Sequence, residues 1–152
     1  MRPFSRDVES GDDAAVIVRF PGGTAVQATG RGRPDGDPVP DFGLYLDACW
    51  HGDHVDWEHT VLDWPDFGLP ADPILAREAI VAAFAAARSG ALVEVGCLGG
   101  SGRTGTVLGC MAVLAGVPAG DAVDWVRRNY RATAVETSGQ CRFVEGFKAS
   151  CA

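Results

Sequence analysis

Lysine is nearly missing from this chain. Lys148 is the only one, and basic residues number 13 against 20 acidic ones, for a net charge of −7. A polyanionic partner needs a basic surface, so this balance argues against nucleic-acid binding and against docking on an anionic membrane. Long hydrophobic runs are also lacking. The longest, within Ala79 to Ala87, is bounded by charge and falls well short of the roughly 20 apolar residues that cross a bilayer. Met1-Arg2-Pro3 leads into polar residues instead of the apolar stretch of a secretion signal, so a cytoplasmic location is expected. Paired cysteines are absent: Cys49, Cys97, Cys110, Cys141 and Cys151 form an odd set without short spacings, which points to free thiols in a reducing compartment. Histidine is scarce as well. His51, His54 and His59, with Asp53 and Asp56, fall in one polar segment with no matching ligand pattern elsewhere, so it reads as solvated and no metal site is expected.

What remains is the composition of one soluble, globular domain covering residues 1–152, with 47% hydrophobic and 22% charged residues. Its bias toward Ala, Gly, Asp and Arg fits a GC-rich bacterial genome. The most informative stretch is Val93-Glu94-Val95-Gly96-Cys97-Leu98-Gly99-Gly100-Ser101-Gly102-Arg103-Thr104-Gly105. A hydrophobic strand, Ala91 to Val95, enters a glycine-rich turn, and an apolar helix, Thr104 to Ala115, leaves it. Backbone N–H groups of such a turn converge on an anion, assisted by the positive end of the helix dipole. The same field favours the thiolate of a cysteine at the mouth of the loop. Arg103 adds a planar fork that holds two phosphate oxygens at once.

Two nucleotide-binding readings of the loop fail or weaken. In the ATP-binding pattern G-x4-G-K-[ST], Cys97 stands in place of the first glycine and Arg103 in place of the lysine. The pattern G-x-G-x-x-G is formally met from Gly100 to Gly105. The acidic residue it requires about 20 positions on should end a strand, but Asp121 follows Pro118 at a helix start.

The Cys-x5-Arg-Thr spacing resembles the signature of the cysteine-dependent protein phosphatases, the protein tyrosine and dual-specificity family. On that resemblance Cys97 is the nucleophile, Arg103 the phosphate-binding arginine, and Thr104 the hydroxyl that assists release of the thiolate. Leu98, Gly99, Gly100, Ser101 and Gly102 supply the phosphate-binding loop. Upstream, Asp63-Trp64-Pro65-Asp66-Phe67-Gly68-Leu69-Pro70 looks like the family's mobile acid loop and places Asp66 on the general acid. Downstream, Glu136-Thr137-Ser138-Gly139-Gln140-Cys141-Arg142-Phe143 is similar to the loop whose glutamine orients the hydrolytic water, which points to Gln140. Thr137 and Gln140 also fit a capping box at the start of the last helix, so both readings of Gln140 stand. The family often has glutamine at the position of Glu136. Its histidine before the cysteine is replaced here by Gly96, and Glu94 lies on the same strand face.

The resemblance implies a phosphate monoester hydrolase acting through a phosphocysteine, with phosphotyrosine or another phosphoprotein as substrate and no metal or organic cofactor. A phospho-binding domain with little turnover is the alternative that Gly96 keeps open. Cys49, Cys110 and Cys141 are candidates to capture oxidised Cys97 as a disulfide.

The expected fold is α/β: a central, mostly parallel sheet with helices on both faces and an N-terminal hairpin. The hairpin strands are Ala14 to Phe20 and Thr24 to Ala28, joined at Pro21-Gly22-Gly23. Gly30 to Pro40 reads as loop, and Phe42 to Leu46 and Thr60 to Leu62 as short buried strands flanking the polar segment Trp50 to His59. Asp72-Pro73 starts a helix that ends near Ser89-Gly90, and further helices lie near Asp121 to Tyr130 and Ser138 to Ala149.

Overall fold

The valine-rich strand that leads to Cys97 forms the centre of the sheet. The structure is a computed structural model and describes residues 15–30, 38–46, 56–97 and 101–148. Strands β1 (Val16–Arg19), β2 (Ala25–Thr29), β3 (Phe42–Tyr45), β4 (Glu58–Val61) and β5 (Val93–Gly96) form one sheet in the order β1-β2-β5-β3-β4. The β1–β2 hairpin is antiparallel, and every other pairing is parallel. The hairpin and the mostly parallel α/β sheet are as the sequence predicts. Gly22 and Gly23, both at positive φ, make the hairpin turn.

Alternation along the strands gives the sheet two different faces. Val26, Ala28, Leu44, Val93 and Val95 are buried in the core and meet the helices. Gln27, Glu94 and Gly43 lie in register on the opposite face, as do Thr29, Gly96 and Tyr45. That face is polar yet buried: Gln27 Nε2 donates to Glu94 Oε1 at 2.6 Å and Tyr45 Oη donates to Glu94 Oε2 at 2.9 Å. Trp57 Nε1 in turn donates to Tyr45 Oη at 2.9 Å.

Helix α1 (Pro73–Arg88) begins as predicted, with Asp72 capping Leu75 N–H at 3.1 Å and Pro73 in the first turn. Its buried stripe, Ala76, Ile80, Ala83, Phe84 and Ala87, recurs at helical spacing and lies against β2, β3 and β5. Helix α2 (Gly102–Leu114) is buried over nearly its whole length, between α1, β5 and two further helices. Those are α3 (Ala122–Asn129), preceded by a 3₁₀ turn at Ala119–Asp121, and α4 (Ser138–Glu145). Helices α1 and α2 lie against the sheet, and α3 and α4 pack on α2.

The structure corrects two sequence expectations. Strand β4 starts at Glu58, inside the segment read as polar, and it is largely exposed rather than buried. It lies at the sheet edge with β3 as its neighbour, and an edge strand carries polar side chains toward solvent. The last helix ends at Glu145, with Gly146 as its C-cap, instead of continuing to Ala149.

Candidate active site

Cys97 follows β5 directly, at the carboxyl end of the central strand, where α/β sheets place their ligands. Its side chain is buried, and Thr104 Oγ1 donates to Cys97 Sγ at 3.0 Å. Leu98, Gly99 and Gly100 lie outside the described residues. Ser101 takes the N-cap position of α2 without a capping side-chain bond. Its carbonyl instead accepts from Gly105 N at 3.0 Å and Val135 N at 3.2 Å, and its hydroxyl lies 3.2 Å from Thr133 Oγ1. Gly102 opens the helix beside the Glu136 and Gln140 side chains, and a Cβ there would push the Glu136 carboxylate aside.

Arg103 is almost fully buried and ties three segments together. Its Nη1 donates to the Trp64 carbonyl at 3.0 Å and the Leu46 carbonyl at 3.2 Å, and its Nη2 lies 3.5 Å from Asp66 Oδ1. The Asp66 side chain is 59% exposed, so the carboxylate faces solvent from above the arginine. It sits in a turn closed by Gly68 N donating to the Pro65 carbonyl at 2.9 Å, with Phe67 at φ 60°. Asp66 Oδ1 also accepts from Phe67 N at 3.0 Å. Trp64 is buried against the Phe143 ring of α4, with ring centroids 5.8 Å apart, and its Nε1 donates to the Gly68 carbonyl at 2.8 Å.

Gln140 is buried in the first turn of α4. Thr137 caps that helix by accepting from Gln140 N at 3.1 Å. The side chain of Gln140 does not close a capping box on Thr137: its Oε1 accepts from Glu136 N at 2.9 Å and its Nε2 donates to the Gly68 carbonyl at 3.0 Å. Cys97, Ser101, Gly102, Arg103, Thr104, Asp66 and Gln140, spread over 75 positions from Asp66 to Gln140, thus converge on one end of the sheet.

Gly96 marks no vacancy. A Cβ at this position would lie 2.7 Å from the Thr29 methyl and 3.4 Å from Tyr45 Cδ1, so these two side chains fill the space beside the strand end. Glu94 is met by donors from Gln27 and Tyr45, as above. Burial pushes the Cys110 thiol far above its usual range, with the Arg77 charge pulling it part of the way back. His59 Nδ1 lies 3.1 Å from the Trp57 carbonyl, and among the described residues no three metal-ligating side chains cluster; His51, Asp53, His54 and Cys49 lie outside them.

Sequence reasoning missed Arg127. Its Nε donates to the Ala134 carbonyl at 2.8 Å and its Nη2 to the Val135 carbonyl at 2.6 Å, bracing the segment that packs on Ser101 and Gly105. Nothing in the local pattern of Arg127-Arg128 marks one arginine as structural.

Residues 44–147 match the protein-tyrosine phosphatase family. The chain belongs to this family. Among solved structures, Tk-PTP in its active form superposes with a TM-score of 0.65 at 25% identity, covering 86% of this chain and 95% of that one. A variant of human DUSP28 gives 0.64 at 16% identity, covering 87% and 93%, which shows the shared fold. The human receptor-type tyrosine-protein phosphatase C is 46% identical over 63 residues, 40% of this chain and 5% of that protein. An uncharacterized protein of Methanocaldococcus jannaschii is 48% identical over 52 residues, 34% of this chain and 31% of that one. In this chain Arg103 of the Cys-x5-Arg sequence contacts both Trp64 and Asp66 of the Trp-Pro-Asp sequence.

Proposed function

We propose that this protein hydrolyses phosphate monoesters on phosphoproteins, tyrosine or mixed, through a phosphocysteine on Cys97. The observation that carries the reading is the linkage of Cys97, Thr104, Arg103 and Asp66: the sulfur accepts from Thr104 while Arg103, one residue earlier, reaches the acid loop. In the first step the Cys97 thiolate attacks phosphorus in line, the bond to the ester oxygen breaks, and Asp66 delivers a proton to that oxygen. The loop amides from Leu98 to Gly102 and the Arg103 fork stabilise the charge on the equatorial oxygens. In the second step water attacks phosphorus, its proton passes to Asp66, and the sulfur departs as a thiolate that Thr104 stabilises. Gln140 orients this water once its amide leaves Gly68. The thiolate chemistry fits the reducing cytoplasm.

The intermediate is directly detectable. Acid-quenching a reaction with an aryl phosphate should leave one phosphoryl group on the peptide carrying Cys97, visible by mass spectrometry. Phosphate on another residue, or rapid turnover with none trapped on Cys97 even when breakdown is slowed, contradicts the reading.

A further inference from the structure

Besides the packing of Trp64 on Phe143, side-chain hydrogen bonds from Arg103 and Gln140 tie the acid loop to the rest of the fold among the described residues. Arg103 holds the Trp64 carbonyl and lies beside Asp66. Gln140 reaches the loop across 72 residues of sequence. Gln140 is fully buried, and its amide orientation is determined by its partners: Glu136 N–H requires the oxygen, and the Gly68 carbonyl requires the nitrogen. The Gly68 carbonyl also accepts from Trp64 Nε1, so one oxygen is gripped from within the loop and from α4.

Gly68 closes the turn that carries Asp66, through its N–H to the Pro65 carbonyl. Phe67, within that turn, takes a left-handed conformation that a bulky residue adopts only when its surroundings hold it there. Its side chain is exposed and contributes little packing to that end. Phe67 is held by the bond from its own N–H to Asp66 Oδ1 and by the bonds that the Gly68 N–H and carbonyl make.

We propose that Gln140 is a positioning residue for the general acid: by latching the Gly68 carbonyl it keeps the Asp66 turn closed over Arg103, and so it governs the first, phosphoryl-transfer step. This rests on Asp66 being the proton donor. Because both ends of the Gln140 amide are occupied in the latched state, orienting water belongs to a second state, after the latch opens. A loop that opens and closes commonly sets the rate of an enzyme, and a buried amide that exchanges a carbonyl for a water is a fitting trigger.

The test compares two esters, para-nitrophenyl phosphate with a good leaving group and phenyl phosphate with a poor one. Protonation of the departing oxygen matters more for the second. Gln140→Met should lower kcat/KM for phenyl phosphate by about tenfold more than for para-nitrophenyl phosphate, an effect the size of one hydrogen bond. Asp66→Asn should show the same preference more strongly, and the double variant should lose little beyond Asp66→Asn alone. Equal slowing of both esters with accumulation of phosphoenzyme would overturn the proposal, placing Gln140 on the water step only. If Asp66→Asn itself shows no leaving-group preference, the proton-donor assignment fails, and the latch role falls with it. Competitive inhibition by inorganic phosphate reports an intact loop. Should Gln140→Met not fold, Trp64→Phe removes the other donor to Gly68 and must give the same selective loss; uniform loss there overturns the latch.

Discussion

Thr104 Oγ1 donates to the Cys97 sulfur at 3.0 Å, from the first turn of α2 to the end of β5. The two residues are seven positions apart, and the intervening loop brings a buried hydroxyl onto a buried sulfur. A donor at this point stabilises negative charge on sulfur, which the proposed mechanism uses in the attack on phosphorus and in the release of the thiolate.

Replacing Thr104 by Val keeps the shape and removes the donor. A hydrogen bond to a charged group contributes about 1.5–3 kcal/mol, so breakdown of the phosphoenzyme should slow by roughly tenfold to a hundredfold. Stopped-flow hydrolysis of para-nitrophenyl phosphate should then show a burst followed by a slow steady state. An unchanged kcat without a burst would remove Thr104 from this role.

Gly96 stands where related enzymes carry histidine, and the space beside it is filled by Thr29 and Tyr45. Restoring the histidine should therefore harm the protein. Gly96→His forces the Thr29 methyl and the Tyr45 ring apart, and overpacking of this kind costs about 1–3 kcal/mol. Urea denaturation should show the loss, and kcat/KM should fall. A more active variant of undiminished stability would contradict this packing argument.

Arg127 braces a strained segment. Val135 is β-branched, buried and at φ 63°, and its N–H donates to the carbonyl of Ser101 at the N-cap of α2. Arg127→Met removes both guanidinium bonds to Ala134 and Val135. The arginine is partly in solvent, so the expected loss is about 1–2 kcal/mol of stability. The inhibition constant for inorganic phosphate should rise as Ser101 loses its backing. Equal stability and equal phosphate affinity would show that the segment holds without the arginine.

Cys110 sits in the middle of α2 with its thiol pushed up by burial, the nearby Arg77 charge lowering it less. The folded state thus favours the neutral form. Its contribution to stability is complete below the ordinary thiol value of 9.0 and is lost as pH rises above it, because the unfolded chain then releases a proton that the folded chain keeps. Iodoacetamide at neutral pH should leave Cys110 unmodified in the folded protein, and Cys110→Ala should flatten the alkaline decline in stability. Rapid labelling of Cys110 would contradict the burial.

The elements that carry the candidate site were legible because their signals are local. A hydrophobic strand, glycines and an apolar helix announce the loop around Cys97, and Asp72-Pro73 announces α1. Strand β4 was misplaced because Glu58 and His59 lie on an edge, where polar side chains hide the period-two pattern. The bonds that assemble the site were less legible. Gln140 reaches Gly68, Arg103 reaches Leu46 and Trp64, and Tyr45 packs against Gly96, each across at least 39 positions of sequence that no local pattern connects. The buried pair of Gln27 and Glu94 was hidden for the same reason: their contact depends on the parallel register of β2 and β5.

The most direct test of the central claim is hydrolysis of para-nitrophenyl phosphate across about pH 5 to 8, comparing the native protein with Cys97→Ser in the presence of a metal chelator. The account predicts turnover by the native protein that the serine variant loses entirely. A folded native protein that binds vanadate or a phosphopeptide but does not turn over, or a serine variant that remains active, would contradict a Cys97 phosphatase; the first result would assign the loop to phosphate recognition.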